Sequence, residues 1–157
     1  MKINELIVTV LFLGRINAAP GSIASSATSI FFYFFLQKIS FHFLLLIIAS
    51  ISLVALITIS KYTKNLVKKD KSEIVIDELI GQLISLSPII IYKNEISSPL
   101  FFIFYSFILF RFFDIIKPQP IKFFDQINSP WAVIFDDCLA GLFAAISLTV
   151  IIKFLVL

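Results

Sequence analysis

The feature that most restricts the fold is a run without Asp, Glu, Lys or Arg that extends over Ser40–Ser60. Its length is close to the ~20 residues that a helix needs to cross the hydrocarbon core of a bilayer. Backbone N–H and C=O groups in lipid must be satisfied within the segment, so a run of this kind forms a helix. The sequence therefore predicts a membrane protein that crosses the bilayer at this point.

The composition of the whole chain agrees with a lipid environment. Hydrophobic residues make up 59% and charged residues 15% of the 157 residues, whereas soluble domains have about 25% charged residues. A chain of this length is enough for one domain, which we expect to comprise residues 1–157. The net charge is only +3 and is dispersed. We therefore expect no nucleic-acid partner and assign the lysines to loops at an anionic membrane surface.

Apolar segments joined by short polar loops fill most of the chain, and no internal repeat is visible. The segments are 22–37, 40–60, 74–92, 99–116 and 131–157. They predict an all-α, multi-pass membrane helical bundle of about four to five apolar helices, the first of them slightly short for a span. A short apolar run before residue 14 has some features of a signal peptide, but we expect it to be retained.

The orientation of the bundle follows from its lysines. The loop 61–73 is the richest in them, and short loops rich in Lys and Arg stay in the cytoplasm. Alternation from this loop places the amino terminus and the loop 117–130 inside and the carboxyl terminus outside. The oligomeric state is left open by the sequence.

This topology gathers the charged residues of the apolar segments at one membrane face. They are Asp77, Glu78, Arg111, Asp114, Asp136 and Asp137. Ionisable residues inside membrane helices are costly and usually functional. We therefore predict a polar site at the cytoplasmic ends of the helices.

The acidic residues in this group indicate a divalent cation. Five carboxylates brought together without a partner would repel one another, and a cation removes that conflict. Oxygen ligands without a histidine or thiolate cluster suit magnesium, manganese or calcium. Magnesium typically takes one or two carboxylates, keeps several waters and binds substrate phosphate. The predicted metal ligands are Asp77, Glu78, Asp114, Asp136 and Asp137.

The basic residues fit phosphate chemistry at the same place. Arg111, Asp114 and Lys117 are spaced i, i+3 and i+6, which predicts that both cations lie beside Asp114 on one helix surface. Arginine offers a planar fork and lysine a point charge to phosphate oxygens. Pro118 and Pro120 are expected to stop the helix and fix where Lys117 emerges.

Simpler interpretations remain open at this stage. Arg111 and Asp114 can form a helix-end ion pair, and the acidic pairs can be residues that favour the first turns of helices. Asp70, Glu73 and Asp125 are expected to be solvent-facing loop charges. The same acids also suit a non-enzymatic ion or proton carrier or a structural membrane scaffold.

Other phosphatase chemistries lack their residues. The chain has no Asp-x-Asp sequence and no arginine after Cys138, its one cysteine. Its one histidine, His42, lies within a predicted span. Water activated by a metal is the remaining route to phosphate hydrolysis.

Four sequence blocks resemble the phosphatidylglycerophosphatase A family. They are APGSIAS at 19–25, similar to A-P-G-T-x-G-S; SEIVIDELIG at 72–81, similar to I-V-x-D-E-x-x-G; FRFFDIIKPQP at 110–120, similar to F-R-x-F-D-x-x-K-P-x-P; and DDCLAG at 136–141, similar to D-D-x-x-A-G. Their order and spacing agree over nearly the whole chain. Ser22 and Ala24 depart from the family's threonine and glycine, and no departure removes a charged residue.

The resemblance implies a bacterial inner-membrane enzyme whose site faces the cytoplasm. Such enzymes use Mg²⁺ to remove the terminal phosphate of phosphatidylglycerophosphate, giving phosphatidylglycerol, in phospholipid biosynthesis. We expect a substrate-binding role for Arg111, Lys117, Pro20, Gly21 and Ser22. The expected catalytic residues are Asp77, Glu78, Asp114, Asp137, Arg111 and Lys117. Hydrolysis of another lipid phosphate is the alternative within the same chemistry.

Overall fold

The computed structural model describes residues 2–67 and 71–156, and all regular secondary structure within these ranges is helical. The α-helices are α1 Lys2–Val8, α2 Pro20–Phe31, α3 Phe41–Tyr62, α4 Ile76–Ile91, α5 Pro99–Ile116, α6 Ile121–Asp125 and α7 Pro130–Val156. A 3₁₀ turn (Leu13–Arg15) precedes α2 and a π-helical turn (Phe32–Leu36) follows it. The all-α prediction is confirmed. Lys68, Lys69 and Asp70, expected in a polar loop, lie outside the described residues.

Three of the described helices are long and apolar enough to cross a membrane: α3, α5 and α7. Each exposes large apolar side chains, such as Leu53 on α3, Phe104 on α5 and Val150 on α7. An exposed apolar surface of this extent suits contact with lipid chains. The chain is thus a membrane protein by the length and composition of these helices.

The prediction of four to five membrane helices is wrong by this measure. The segment 22–37 leaves regular α-helix at Phe31, so that α2 is only 12 residues long. The segment 74–92 forms α4, which has 16 residues and carries Asp77 and Glu78 in its first turn. Hydropathy alone did not separate lipid-facing helices from α4, whose apolar side chains pack against protein.

Helix α4 is the centre of the bundle. It packs against α2, α3, α5 and α7, and Ile80, Leu83, Leu86 and Ile89 on it are almost completely buried. Burial around the whole helix explains why its sequence is apolar on most sides. The other helices therefore form a shell around the element that carries Asp77.

Proline and serine mark the starts of the long helices. Pro99 begins α5 and Pro130 begins α7, and proline is well suited to a first helical position because it lacks the N–H that would be unpaired there. At the start of α3, the Phe43 N–H donates to Ser40 Oγ over 3.3 Å. These signals explain why helix starts were predicted within two residues for α3, α5 and α7.

Helices α4 and α7 meet through two glycines. A Cβ added to Gly141 would lie 3.0 Å from Gly81 Cα, and one added to Gly81 would lie 2.6 Å from the Asp137 carbonyl oxygen. Small residues allow membrane helices to approach this closely. Asp77 and Asp137 lie one turn before Gly81 and Gly141, so the two helices run in the same direction and deliver their acids together.

Polar contacts tie α4 to α5 deeper in the bundle. The Ser85 and Ser106 hydroxyls are 2.7 Å apart, and Gln82 Nε2 donates to Ser106 Oγ over 3.3 Å. All three side chains are fully buried. Hydrogen bonds between helices satisfy groups that would otherwise be costly in an apolar interior.

The amino-terminal segment is fastened to the start of α4. The Val75 N–H donates to the Val8 carbonyl over 2.9 Å. The backbone of Gly14 lies so close to the Glu73 carbonyl that no side chain would fit between them. Arg15 and Glu5 form an ion pair within this segment. These contacts fix the start of α4, which carries Asp77.

The glycine contact leads to a first prediction. In Gly141→Ala the added methyl would overlap the Gly81 backbone, so we expect a loss of about 1–3 kcal/mol of stability. The loss is measured as a lower thermal unfolding midpoint of the detergent-solubilised protein. Val150→Leu adds bulk to an exposed position of the same helix and serves as the control. Equal midpoints for the two variants would contradict a close α4–α7 contact.

Candidate active site

Five of the six charged residues predicted from sequence to share one face line a small cavity; the sixth, Arg111, lies outside its lining. The cavity volume is about 130 Å³, enough for several water molecules. The lining residues are Lys71, Ser72, Ile74, Asp77, Glu78, Asp114, Lys117, Asp125, Val133, Asp136 and Asp137. The starts of α4 and α7 and the end of α5 therefore meet at one end of the bundle.

Three carboxylates form the tightest acidic group in this cavity. One oxygen each from Asp77, Glu78 and Asp137 lies within 4.8 Å of the others, an arrangement that can hold a metal ion. The Glu78 N–H also donates to Asp77 Oδ1 over 3.2 Å. Asp77 and Glu78 occupy the first turn of α4, where the helix dipole favours negative charge.

The start of α2 packs directly against this acidic group. A Cβ added to Gly21 would overlap Glu78 Oε1 and would lie 3.0 Å from Arg111 Nη1. The absence of a side chain at Gly21 therefore leaves room for both side chains in their present positions. Pro20, Gly21 and Ser22 form the first turn of α2, next to the site. None of these three predicted substrate-binding residues is among those that line the cavity.

Arg111 holds Asp114 at the end of α5. Arg111 Nη1 lies 2.5 Å from Asp114 Oδ2, and both side chains are largely buried. Arg111 itself does not line the cavity. Its buried Nε has no hydrogen-bond acceptor among the described residues. The guanidinium is therefore able to donate to a further oxygen, as an anion would offer.

Lys117 differs from its predicted position. Helix α5 ends at Ile116, and Lys117 takes a left-handed backbone conformation with φ 47°. Its Nζ donates to Asp136 Oδ2 over 2.8 Å and also contacts Asp125. The expectation that it continues the surface of Arg111 and Asp114 is thus wrong, because the helix ends before it and the chain turns toward α7.

The charge of Lys117 is stabilised by its neighbours. Partial burial works against the charged form, but the hydrogen bonds to Asp125 and Asp136 outweigh it and raise the pKa of the ammonium above its usual value. Lys117 therefore stays protonated at physiological pH. It supplies a fixed positive charge at the edge of the acidic cluster.

The donor set fits a divalent cation. Six carboxylates line the cavity against two lysines, an excess that favours a bound positive ion. Glu78 Oε2 and Asp136 Oδ1 are buried and accept no hydrogen bond from the described residues. All ligand atoms are oxygens, as Mg²⁺ prefers. Asp114 and Asp136 face the same cavity but are paired with Arg111 and Lys117.

Some residues of the site were missed or misplaced from sequence. Lys71 and Ser72 line the cavity, although Lys71 precedes the block 72–81 that contains Asp77 and Ser72 is its first residue. Asp125 is exposed, as expected, but it also contacts Lys117 and lines the cavity. Glu73 is partly buried and accepts from the Tyr62 hydroxyl over 2.7 Å. These residues come from the segments that connect the long helices, and helical periodicity does not predict the path of those segments.

Comparisons with known proteins identify a family for this chain. The family model for Phosphatidylglycerophosphatase A matches residues 6–152. A protein of Haemophilus influenzae named Phosphatidylglycerophosphatase A is 33% identical over 134 residues, which cover 85% of this chain and 78% of that relative. A Putative phosphatidylinositol-3-phosphatase of Bacteroides thetaiotaomicron is 32% identical over 82 residues, 52% of this chain and 49% of that protein's length. No solved structure matches significantly.

The matched region includes every residue that lines the cavity. The four sequence blocks meet at or beside this one site, from the Gly21 turn to the start of α7. With the family model covering nearly the whole chain, the protein belongs to the phosphatidylglycerophosphatase A family.

Proposed function

We propose that the protein is a Mg²⁺-dependent phosphatase that hydrolyses the terminal phosphomonoester of phosphatidylglycerophosphate to phosphatidylglycerol and phosphate. The observation that carries the proposal is the convergence of Asp77, Glu78 and Asp137 in one cavity with Lys117 at its edge. Acidic ligands beside a fixed cation are what metal-assisted phosphate hydrolysis needs. Family membership supports the same reaction.

Asp77, Glu78 and Asp137 are the residues that would hold the metal. A bound Mg²⁺ polarises phosphoryl oxygens and lowers the pKa of a coordinated water. The carboxylate oxygens left unpaired, Glu78 Oε2 and Asp136 Oδ1, are available to accept a proton from the attacking water. Helices α4 and α7 hold these groups rigidly, so little reorganisation accompanies the reaction.

Lys117 and Arg111 bind and neutralise the phosphate in this proposal. Lys117 lies in the cavity wall and keeps its charge. Arg111 is outside the cavity lining but pairs with Asp114, which lines it, and its Nε has no acceptor among the described residues. Cations placed before the reaction starts stabilise the negative charge that develops on the phosphoryl oxygens.

The lipid context follows from the position of the cavity. The site lies where α4 and α7 begin and α5 ends, so acyl chains can stay in the bilayer while the headgroup enters the cavity. We place the enzyme in the bacterial inner membrane with this end in the cytoplasm, because the loop 61–73 carries more lysines than any other loop. The role that follows is a step of phospholipid biosynthesis.

The choice among lipid phosphates is part of the proposal. The Bacteroides relative is named for a phosphoinositide, so another lipid phosphate is the alternative substrate. An ion carrier is less well supported, because its acids would be distributed through the membrane depth. Here they surround one cavity at one end of the bundle.

The central prediction concerns activity. Purified protein should release phosphate from phosphatidylglycerophosphate with Mg²⁺ and lose this activity with a chelator. Asp77→Asn and Asp137→Asn should each lower kcat by about 10²-fold or more, because each removes a carboxylate from the metal group. Glu95→Gln alters an exposed acid in the α4–α5 loop and should retain full activity. Near-normal turnover in both Asn variants would rule out this site.

Metal binding can be measured without turnover. A ligand that binds the folded state raises its stability, so Mg²⁺ or Mn²⁺ should raise the thermal unfolding midpoint of the wild-type protein. Asp77→Asn should lose most of this increase, and Glu95→Gln should keep it. An equal increase in both variants would mean that the cation binds elsewhere.

Lys117 supplies a third test. Lys117→Met removes the cavity cation and leaves Asp136 unpaired, so we expect kcat/KM for the lipid phosphate to fall by about 10²-fold. Lys153→Met removes an exposed lysine near the far end of α7 and is the matched control. The proposed role of Lys117 does not survive if the two variants have the same kcat/KM.

A further inference from the structure

The proposed substrate carries two phosphate groups, and the site described so far accounts for one. Phosphatidylglycerophosphate has a terminal phosphomonoester, which is hydrolysed, and a phosphodiester that joins the headgroup to the lipid. One glycerol unit separates them. A lipid such as phosphatidic acid has the monoester alone. A second cation in the same cavity is therefore what would distinguish the two kinds of lipid.

Lys71 is that second cation. Among the described residues, Lys71 and Lys117 are the two basic residues that line the cavity. Lys117 follows α5 and is held by Asp125 of α6 and Asp136 of α7. Lys71 comes from the loop between α3 and α4, so the two ammonium groups approach the cavity from different elements.

The contacts of Lys71 leave it able to bind an anion. Its Nζ lies 3.3 Å from Glu73 Oε1, at the long end of hydrogen-bonding distances, and 40% of its side chain is exposed. A lysine has three N–H donors, so this one contact leaves capacity for phosphate oxygens. Ser72 adds a hydroxyl to the same part of the cavity.

Glu73 contacts Lys71 but occupies only part of its hydrogen-bonding capacity. Glu73 Oε1 accepts from the Tyr62 hydroxyl over 2.7 Å as well as from Lys71. The hydrogen bond from Tyr62, with a smaller contribution from Lys71, lowers the pKa of Glu73 despite its partial burial. Glu73 therefore stays ionised and shares its charge between two donors, Tyr62 and Lys71.

We propose that Lys71 binds the phosphodiester of the substrate and gives the site its preference for lipids that carry two phosphates. The inference rests on the proposed function. Lys71 is a specificity determinant in it: the monoester is bound and hydrolysed at the Asp77 and Lys117 end, and Lys71 fixes the neighbouring diester. Its contribution is to substrate binding and appears in KM more than in kcat.

The test compares two substrates in matched variants. The kcat/KM ratio of phosphatidylglycerophosphate to phosphatidic acid is measured in mixed micelles for the wild type, Lys71→Met, Lys71→Arg and Lys64→Met. Lys71→Met should lower this ratio about tenfold through a higher KM for the two-phosphate lipid, as expected from loss of one charged contact. Lys71→Arg keeps the charge and should keep most of the preference. Lys64 is exposed in the same loop and outside the cavity lining, so Lys64→Met should retain the wild-type ratio.

Soluble inhibitors provide a second readout. Glycerophosphoglycerol has the diester without the monoester, and its inhibition constant should rise about tenfold in Lys71→Met. Inorganic phosphate competes at the monoester position, and its inhibition constant should rise much less. A purely structural role of Lys71 through Glu73 would shift both constants together.

The outcomes separate this inference from the proposed function. If the wild type hydrolyses phosphatidylglycerophosphate but Lys71→Met lowers kcat/KM equally for both lipids, Lys71 is no specificity determinant and the function stands. The role of Lys71 as a specificity determinant is also excluded if Lys64→Met lowers the kcat/KM ratio as much as Lys71→Met does. The positive charge of the loop would then act from the protein surface and not from within the cavity. If the wild type releases no phosphate from the two-phosphate lipid, the function and the inference fall together.

Discussion

The close contact of Gly81 with Gly141 is the constraint on which the site depends. It lets the backbones of α4 and α7 approach until a single added Cβ would overlap. Since Asp77 and Asp137 each precede their glycine by one turn, the contact sets the distance between the two carboxylates. Electrostatic repulsion opposes that distance, so the packing of two helices has to impose it. Gly21 leaves space at the start of α2 for the side chains of Glu78 and Arg111.

Two of the five described non-glycine residues with positive φ lie where helices deliver residues to the site, and the other three, Val10, Leu11 and Phe12, follow α1. Ala19 and Lys117 have φ values of 48° and 47°, a conformation that costs side-chain-bearing residues about 1–2 kcal/mol. Ala19 turns the chain into α2 just before Gly21, and Lys117 turns it out of α5. Lys117 is held there by Asp136 and Asp125. Strain of this kind persists when surrounding contacts determine the conformation, and it is common at functional sites.

The sequence predicted the parts of this arrangement that depend on helices. The bounds of α5 match the segment 99–116, and the acids of α4, α5 and α7 meet as the topology required. It did not predict that Lys117 pairs with Asp136 instead of Asp114, because one left-handed residue redirects the chain. Lys71 reaches the cavity from the loop between α3 and α4, and Asp125 from the end of the short helix α6. The paths of such connecting segments depend on tertiary contacts that hydrophobic periodicity does not describe.

The count of membrane helices was too high for a reason connected with the site. A helix that begins with Asp77 and Glu78 and carries Gln82 and Ser85 has polar groups that lipid cannot satisfy. The structure surrounds α4 with α2, α3, α5 and α7, and Ser106 of α5 pairs with Ser85. The three long helices α3, α5 and α7 expose apolar side chains and separate α4 from the surrounding lipid. A central helix shielded in this way can be shorter than a membrane span, because it packs against protein and not against lipid. Its acidic first turn lies at the cavity.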